Sequence, residues 1–169
     1  MREIIKNSEG IVEIPIFTLD RCPNILTILY DIFGNDPDFK TEVVVDSPLA
    51  VKMLKEYCDI LDDDEARKLY DVLSWKNVRL ISESATSKSY MMTCKKAVVL
   101  TAAGMLSKGR SRLWLKKIIE DENNTILFVG YASENTLAAA IKKAKNSKSK
   151  IKIDDVEYRN RCKIVDLKS

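Results

Sequence analysis

The residues able to do chemistry are unevenly supplied in this chain. Its 169 residues include 25 Asp and Glu, 28 Lys and Arg, four cysteines and no histidine. Zinc hydrolases normally ligate their metal through imidazole, with carboxylate and water completing the shell. Ser-His-Asp and Cys-His nucleophiles need the same ring as base. A chain without histidine does neither with its own residues. Cys22, Cys58, Cys94 and Cys162 contain no C-x-x-C pair and sit in apolar or strand-like stretches. They read as small buried thiols rather than as disulfides or a zinc site, so no cofactor is expected on this chain.

The charges are more informative. A net charge of +3 implies no nucleic-acid binding by itself, but Ser107 to Lys117 carries Lys108, Arg110, Arg112, Lys116 and Lys117 with no acid. Three of these cations crowd a predicted helix start, where the helix dipole favours negative charge. A docked anion would remove that conflict, and backbone N–H groups would help to hold it. The acidic run Asp62-Asp63-Asp64-Glu65 has capping-box spacing and reads as a helix start before a metal site. No G-x-G-x-x-G and no G-x-x-x-x-G-K-[ST] occurs, and with five glycines a dinucleotide site is not expected.

The elements that must position these residues follow from periodicity. Apolar runs at Ile11–Ile16, Glu42–Asp46, Val78–Ile81, Ala97–Thr101 and Thr125–Val129 read as strands. Between them lie helical patterns. One runs from about Arg21 to Phe33 with Ile25, Leu26, Leu29 and Phe33 on one face, ended by Gly34 and Pro37. Another is capped by Ser47 and opened by Pro48, with Leu49, Met53, Leu54 and Tyr57 inward. A third turns Ala66, Leu69, Tyr70 and Leu73 inward, and a Ser-rich helical turn follows Ile81. Further helices run to about Glu120, with Trp114, Ile118 and Ile119 in the core, and from about Glu134 to Ala144. Ile151–Ile153 and Val156–Leu167 read as a hairpin and a last strand, after a polar surface loop at 146–150. Strands alternating with helices predict an α/β fold: three layers, with a mainly parallel, Rossmann-like sheet covered by helices on both faces.

In such sheets ligands collect at the carboxyl ends of the strands. The loops there supply the candidate site residues, each with a plainer alternative. Arg21 is a phosphate ligand or a solvated helix start. Asp46 is a substrate-side carboxylate or a structural acid. Ser84 and Ser87 touch a ligand or cap a helical turn. Gly104, Ser107, Lys108, Gly109, Arg110 and Ser111 form the anion-binding corner or a chance basic cluster. Tyr131 stacks on a base or packs with its hydroxyl exposed.

At these loops the sequence resembles the β-CASP family over its whole length. The likeness is carried by Val45-Asp46-Ser47-Pro48-Leu49-Ala50, by Ala103-Gly104-Met105-Leu106-Ser107-Lys108-Gly109-Arg110-Ser111, and by Asn124-Thr125-Ile126-Leu127-Phe128-Val129-Gly130-Tyr131. Ile14-Pro15-Ile16-Phe17-Thr18-Leu19-Asp20-Arg21 adds to it, with Ser84 and Ser87. The resemblance is to the cleavage-and-polyadenylation endonuclease branch and its bacterial and archaeal relatives, which act on RNA. It implies a domain of residues 1–169 inserted into a metallo-β-lactamase-fold protein, capping a zinc site whose His-x-His-x-Asp-His ligands lie on the other domain. It departs from the family pattern at Asp20 and Lys108, where glycine is frequent.

The resemblance therefore implies the substrate-binding cap of a zinc-dependent ribonuclease. The chain itself would be inactive, and its partners would be single-stranded RNA and the metallo-β-lactamase domain of its own parent chain. The alternative is a stand-alone α/β regulatory or interaction module with no catalytic partner. No apolar run approaches the ~18–20 residues of a membrane span, and Met1 to Lys6 lacks a signal-peptide core. The cytoplasm is the expected compartment.

Overall fold

The computed structural model describes residues 1–17, 21–60, 63–145 and 149–167. Asp20, Asp62 with its capping box, and most of the 146–150 loop lie outside the described residues. In chain order the elements are α1 (Arg2–Lys6), β1 (Ile11–Pro15), α2 (Arg21–Phe33), β2 (Val43–Asp46), α3 (Pro48–Ile60), α4 (Asp63–Ser74), β3 (Val78–Ile81), α5 (Ser84–Thr93), β4 (Ala97–Thr101), α6 (Gly109–Ile118), β5 (Thr125–Phe128), α7 (Leu137–Lys143), β6 (Lys150–Ile153), β7 (Val156–Arg159) and β8 (Lys163–Asp166).

Six strands form one parallel sheet in the order β3-β2-β4-β1-β5-β8. Every residue of β1, β2, β4 and β5 is buried, as strands with both faces covered require. One core lies on the α2, α3 and α4 side, built on Ile25, Leu26, Leu29, Phe33, Leu54 and Val72. The other holds Trp114, Leu115 and Ile118 of α6, Ala138 and Ile141 of α7, and Ile151 and Ile153 of β6. β6 and β7 form a separate antiparallel hairpin. Its turn residues Asp154 and Asp155 have φ of 48° and 65°, the left-handed pair that matches the twist of a two-residue hairpin. The edge strand β3 is guarded by Arg79, which pairs with Glu42 at 2.9 Å and lies over the Tyr90 ring. A charge on an exposed edge discourages pairing with another chain.

The predicted fold class and strand positions stand, and Ser47 caps α3 by accepting from the Ala50 amide at 3.3 Å. Four local readings change. Leu49 and Tyr70, expected inward, are each 52% exposed: Leu49 sits in the first turn of α3 at the rim of the sheet, and α4 packs through Leu69 and Val72 instead. The Ser-rich turn is a ten-residue helix, α5. α7 starts at Leu137, where Thr136 accepts from the Ala139 amide. Cys58 is half-buried rather than buried, whereas burial pushes the Cys22 and Cys162 thiols up to about 12, away from thiolate reactivity.

The strand order creates the site. From β1 the chain passes through α2 to β2 on one side, and from β4 it passes through α6 to β5 on the other. β1 and β4 are adjacent, so their carboxyl ends flank a topological switch point, where the departing connections leave a crevice.

Candidate nucleic-acid interface

The loop leaving β4 is tightly built. The Leu106 amide donates to the Ala103 carbonyl at 2.9 Å and the Ser111 amide to the Ala102 carbonyl at 3.0 Å. Ser111 is fully buried and donates from Oγ to the Lys108 carbonyl at 3.2 Å. Gly104 is buried against the exit of β1: a Cβ there would lie 3.0 Å from the Ile16 carbonyl carbon and 3.1 Å from the Phe17 nitrogen. Gly109 has φ of +73°, a left-handed conformation that side chains resist. Together the two glycines let the loop hug β1 and then turn into α6. Lys108 is the residue that precedes that helix, and no side chain caps it.

Beneath the turn sits a buried polar knot. Asp46 at the end of β2 is fully buried. It accepts from Ser87 Oγ at 2.6 Å, Arg110 Nη1 at 2.5 Å and Trp114 Nε1 at 2.8 Å. The Arg110 side chain is 12% exposed and also donates to the Ile81 carbonyl at 3.0 Å and the Ser82 carbonyl at 2.5 Å. Charge-assisted bonds of this kind are the strong ones, and a satisfied buried network fixes one arrangement. The expectation that Arg110 presents donors to an anion is therefore revised: its guanidinium is taken up inside the protein. Asp46, Ser87 and Ser111 are likewise spent on internal bonds, which leaves Lys108 and Ser107 as the exposed side chains of the corner.

Arg21, Ser84, Ser87, Gly104, Lys108, Gly109, Arg110 and Tyr131 line three adjoining hollows along one rim, whereas Asp46, Ser107 and Ser111 line none of them. The central one, about 490 Å³, is lined by Ile16 and Phe17 after β1, Ser47 to Leu49 after β2, and Ala102 to Gly104 with Lys108 to Arg110 after β4. Its surface is largely apolar. On one side a shallow cleft joins Arg21, Gly104 and Tyr131, where Tyr131 is 73% exposed. On the other, Lys108 to Arg110 wall a hollow that reaches Ser84 and Ser87. Sequence reasoning missed Lys88, Phe17 and Leu49, which also line these hollows. Lys88 was findable, since residues four apart on a helix share a face and Ser84 was already a candidate.

One further buried group was missed. Glu13, in the middle of β1, is fully buried. Its Oε1 accepts from Thr101 Oγ1 at 2.8 Å, while Oε2 has no hydrogen-bond partner among the described residues. Burial pushes its carboxyl well above the usual carboxylate range, and the Thr101 bond offsets this only in part.

The rim offers a cationic corner at Lys108, a largely apolar central hollow and an exposed Tyr131 ring. The comparisons with known proteins agree on the lineage. The Beta-Casp domain family matches residues 23–141. Ribonuclease TTHA0252 of Thermus thermophilus is 30% identical over 138 residues, covering 78% of this chain and 32% of that protein. The probable RNase MJ4 of Methanocaldococcus jannaschii is 31% identical over 124 residues, covering 72% of this chain and 27% of that protein. The transcription termination factor FttA of Methanococcus maripaludis is 26% identical over 141 residues, 80% of this chain and 22% of that protein. The chain thus spans between about a fifth and a third of the length of these relatives. With the family match running over more than half of its residues and across both cores, the chain belongs to the Beta-Casp domain family.

Proposed function

We propose that this chain is the RNA-binding cap of a phosphodiester-hydrolysing enzyme whose metal is held by residues outside it. The observation that supports this reading is the hollow at the switch point, with an apolar floor and, on its wall, the cationic Lys108 turn that no side chain caps. Zinc is the metal that the family resemblance implies, and the residues present do not fit it. There is no histidine, and among the described residues no three His, Cys, Asp or Glu side chains are grouped as ligands. No hydrolytic step is assigned to them.

What these residues do is bind and orient. Lys108 and the backbone of Ser107 to Gly109 take a phosphate of a single strand, while Tyr131 stacks on a base, a contact worth roughly 1–3 kcal/mol in single-strand binders. Asp46, Ser87 and Arg110 hold the turn in place. Phe17 and Leu49, about half exposed at the rim, form part of the face that a metallo-β-lactamase domain covers. Among the described residues no helix is long and apolar enough to cross a membrane.

The test is a titration of the isotopically labelled 169-residue chain with a single-stranded oligouridylate, read by amide chemical shifts. Amides of Gly104 to Ser111 are expected to move in a salt-sensitive way, because neutralised phosphates release counterions. Lys108→Glu should abolish most of that response with the fold retained; Arg110 is left alone because it is structural. An oligouridylate that moves no amide along this rim, even at millimolar concentration, would overturn the reading.

A further inference from the structure

The hollow on the far side of the Lys108 turn has a volume of about 400 Å³, within the range of small-ligand sites. Its charged lining is four cations, Lys88, Lys108, Arg110 and Arg112, against the single carboxylate of Asp154. Two of those cations are occupied. Arg110 is bound to Asp46. Arg112 pairs with Asp154 at 2.5 Å and donates to the Leu106 carbonyl at 3.1 Å. Asp154 also holds Lys116 at 2.7 Å, so its charge is answered from the α6 side. Lys88 and Lys108 are left. Both are exposed, and neither has a hydrogen-bond or ion-pair partner among the described residues. They come from different segments, one turn into α5 and the start of α6, yet they line the same space. Two like charges lining one hollow, neither of them paired, are unfavourable until an anion joins them. Mobile ammonium groups on long stems suit a phosphate, whose oxygens need no fixed fork, and the exposed Ser84 hydroxyl adds a neutral donor.

We infer that this hollow is a second phosphate subsite, which takes a phosphodiester of the same RNA strand one step beyond the Lys108 turn. Lys88 and Lys108 are its cations and Ser84 its neutral donor. The inference rests on the RNA-binding reading above and extends it: Lys108 and Gly109 wall both hollows, so a strand seated in the first reaches the second by crossing a single turn. The path runs toward α5, which supplies Ser84 and Lys88 to the lining, while Asp154 is already paired with Arg112 and Lys116.

The experiment compares Lys88→Glu with Lys55→Glu. Lys55 is exposed on α3, against the other face of the sheet, and its reversal makes the same change in net charge. Each variant and the unaltered chain are titrated with oligouridylate and, separately, with inorganic phosphate, at several salt concentrations. Lys88→Glu is expected to lower RNA affinity several-fold and to reduce the salt slope by about 0.7, one single-strand phosphate contact. The amides of Ser84 to Lys88 should cease to respond, while Lys55→Glu behaves as the unaltered chain. Equal effects of the two reversals would overturn the subsite. RNA that moves Gly104 to Ser111 and spares Ser84 to Lys88 would overturn it while leaving the RNA-binding reading intact; no response anywhere removes both. Inorganic phosphate that moves Ser84 to Lys88 at lower concentration than the RNA does would assign the hollow to free phosphate and overturn its place on the strand.

Discussion

Replacing Glu13 and Thr101 together, as Glu13→Leu with Thr101→Val, should stabilise the fold, by an amount that depends on pH. Glu13 is in a central strand with one carboxyl oxygen bound by Thr101 and the other without a partner among the described residues. A buried acceptor left unsatisfied costs about 1–3 kcal/mol, and the lost Thr101 bond returns about 1 kcal/mol of that. Removing both partners avoids orphaning the threonine hydroxyl and leaves a net gain of about 0–2 kcal/mol from polar groups alone. Titration adds to this. The folded-state pKa is raised, so above the unfolded value of about 4.3 the unfolded chain loses its proton first. The folded state then holds one proton more, and the stability of the unaltered chain falls with rising pH by up to about 1.4 kcal/mol per unit. That loss runs until pH passes the raised folded-state pKa. The double variant lacks this slope. Urea denaturation at intervals from pH 5 to pH 8 reads the gap directly, and it should widen as pH rises. Glu13→Gln alone should flatten the slope without the full gain, since its amide nitrogen inherits the unpartnered position. A gap of constant size across that range, or a double variant less stable at pH 8, would refute the account of Glu13 as a buried acid whose pKa is raised.

Two other outcomes are expected. Arg110→Ala leaves the buried Asp46 carboxylate without its cation and should cost about 3–5 kcal/mol, measured as a lower urea midpoint with altered Trp114 emission, because Trp114 Nε1 shares that carboxylate. The purified chain should hold no stoichiometric zinc and leave RNA uncut, by elemental analysis and gel assay; one zinc per chain with metal-dependent cleavage would contradict the absence of a ligand set among the described residues.

Much of this fold was legible because its strands are short apolar runs, and a parallel sheet buries both faces of each. Helices with a clear apolar stripe, such as Ile25, Leu26, Leu29 and Phe33, were equally plain. α5 was not, because it has almost no apolar stripe: its one buried residue is Ser87, bound to Asp46. Leu49 misled for a related reason: helical spacing says which face a residue occupies, not that the helix starts at a solvent-facing rim. The rim itself was readable from the order of strands and loops. The internal commitment of its residues was not. Arg110 and Trp114 lie 64 and 68 positions from Asp46, a separation that no local pattern reports. Glu13 escaped notice because one charge in an apolar strand looks like a solvent-facing position, and only the strand order shows that β1 has no such face.

The Arg110 side chain has a mechanical consequence. It leaves α6, which continues from β4, grips the end of β2 through Asp46, and takes two carbonyls at the end of β3. These are three consecutive strands of the sheet, pinned at one end by a single guanidinium. A pull exerted at Lys108 is therefore delivered two strands away, at the outer edge, and across the start of α5 where Lys88 stands. The half of the rim that carries Arg21 and Tyr131 lies beyond the pin. It is tied back to the loop after β4 through Met105, whose carbonyl accepts from the Ala138 amide and whose Sδ accepts from the Ser133 amide, each at 3.2 Å, so both halves of the rim are braced through one loop.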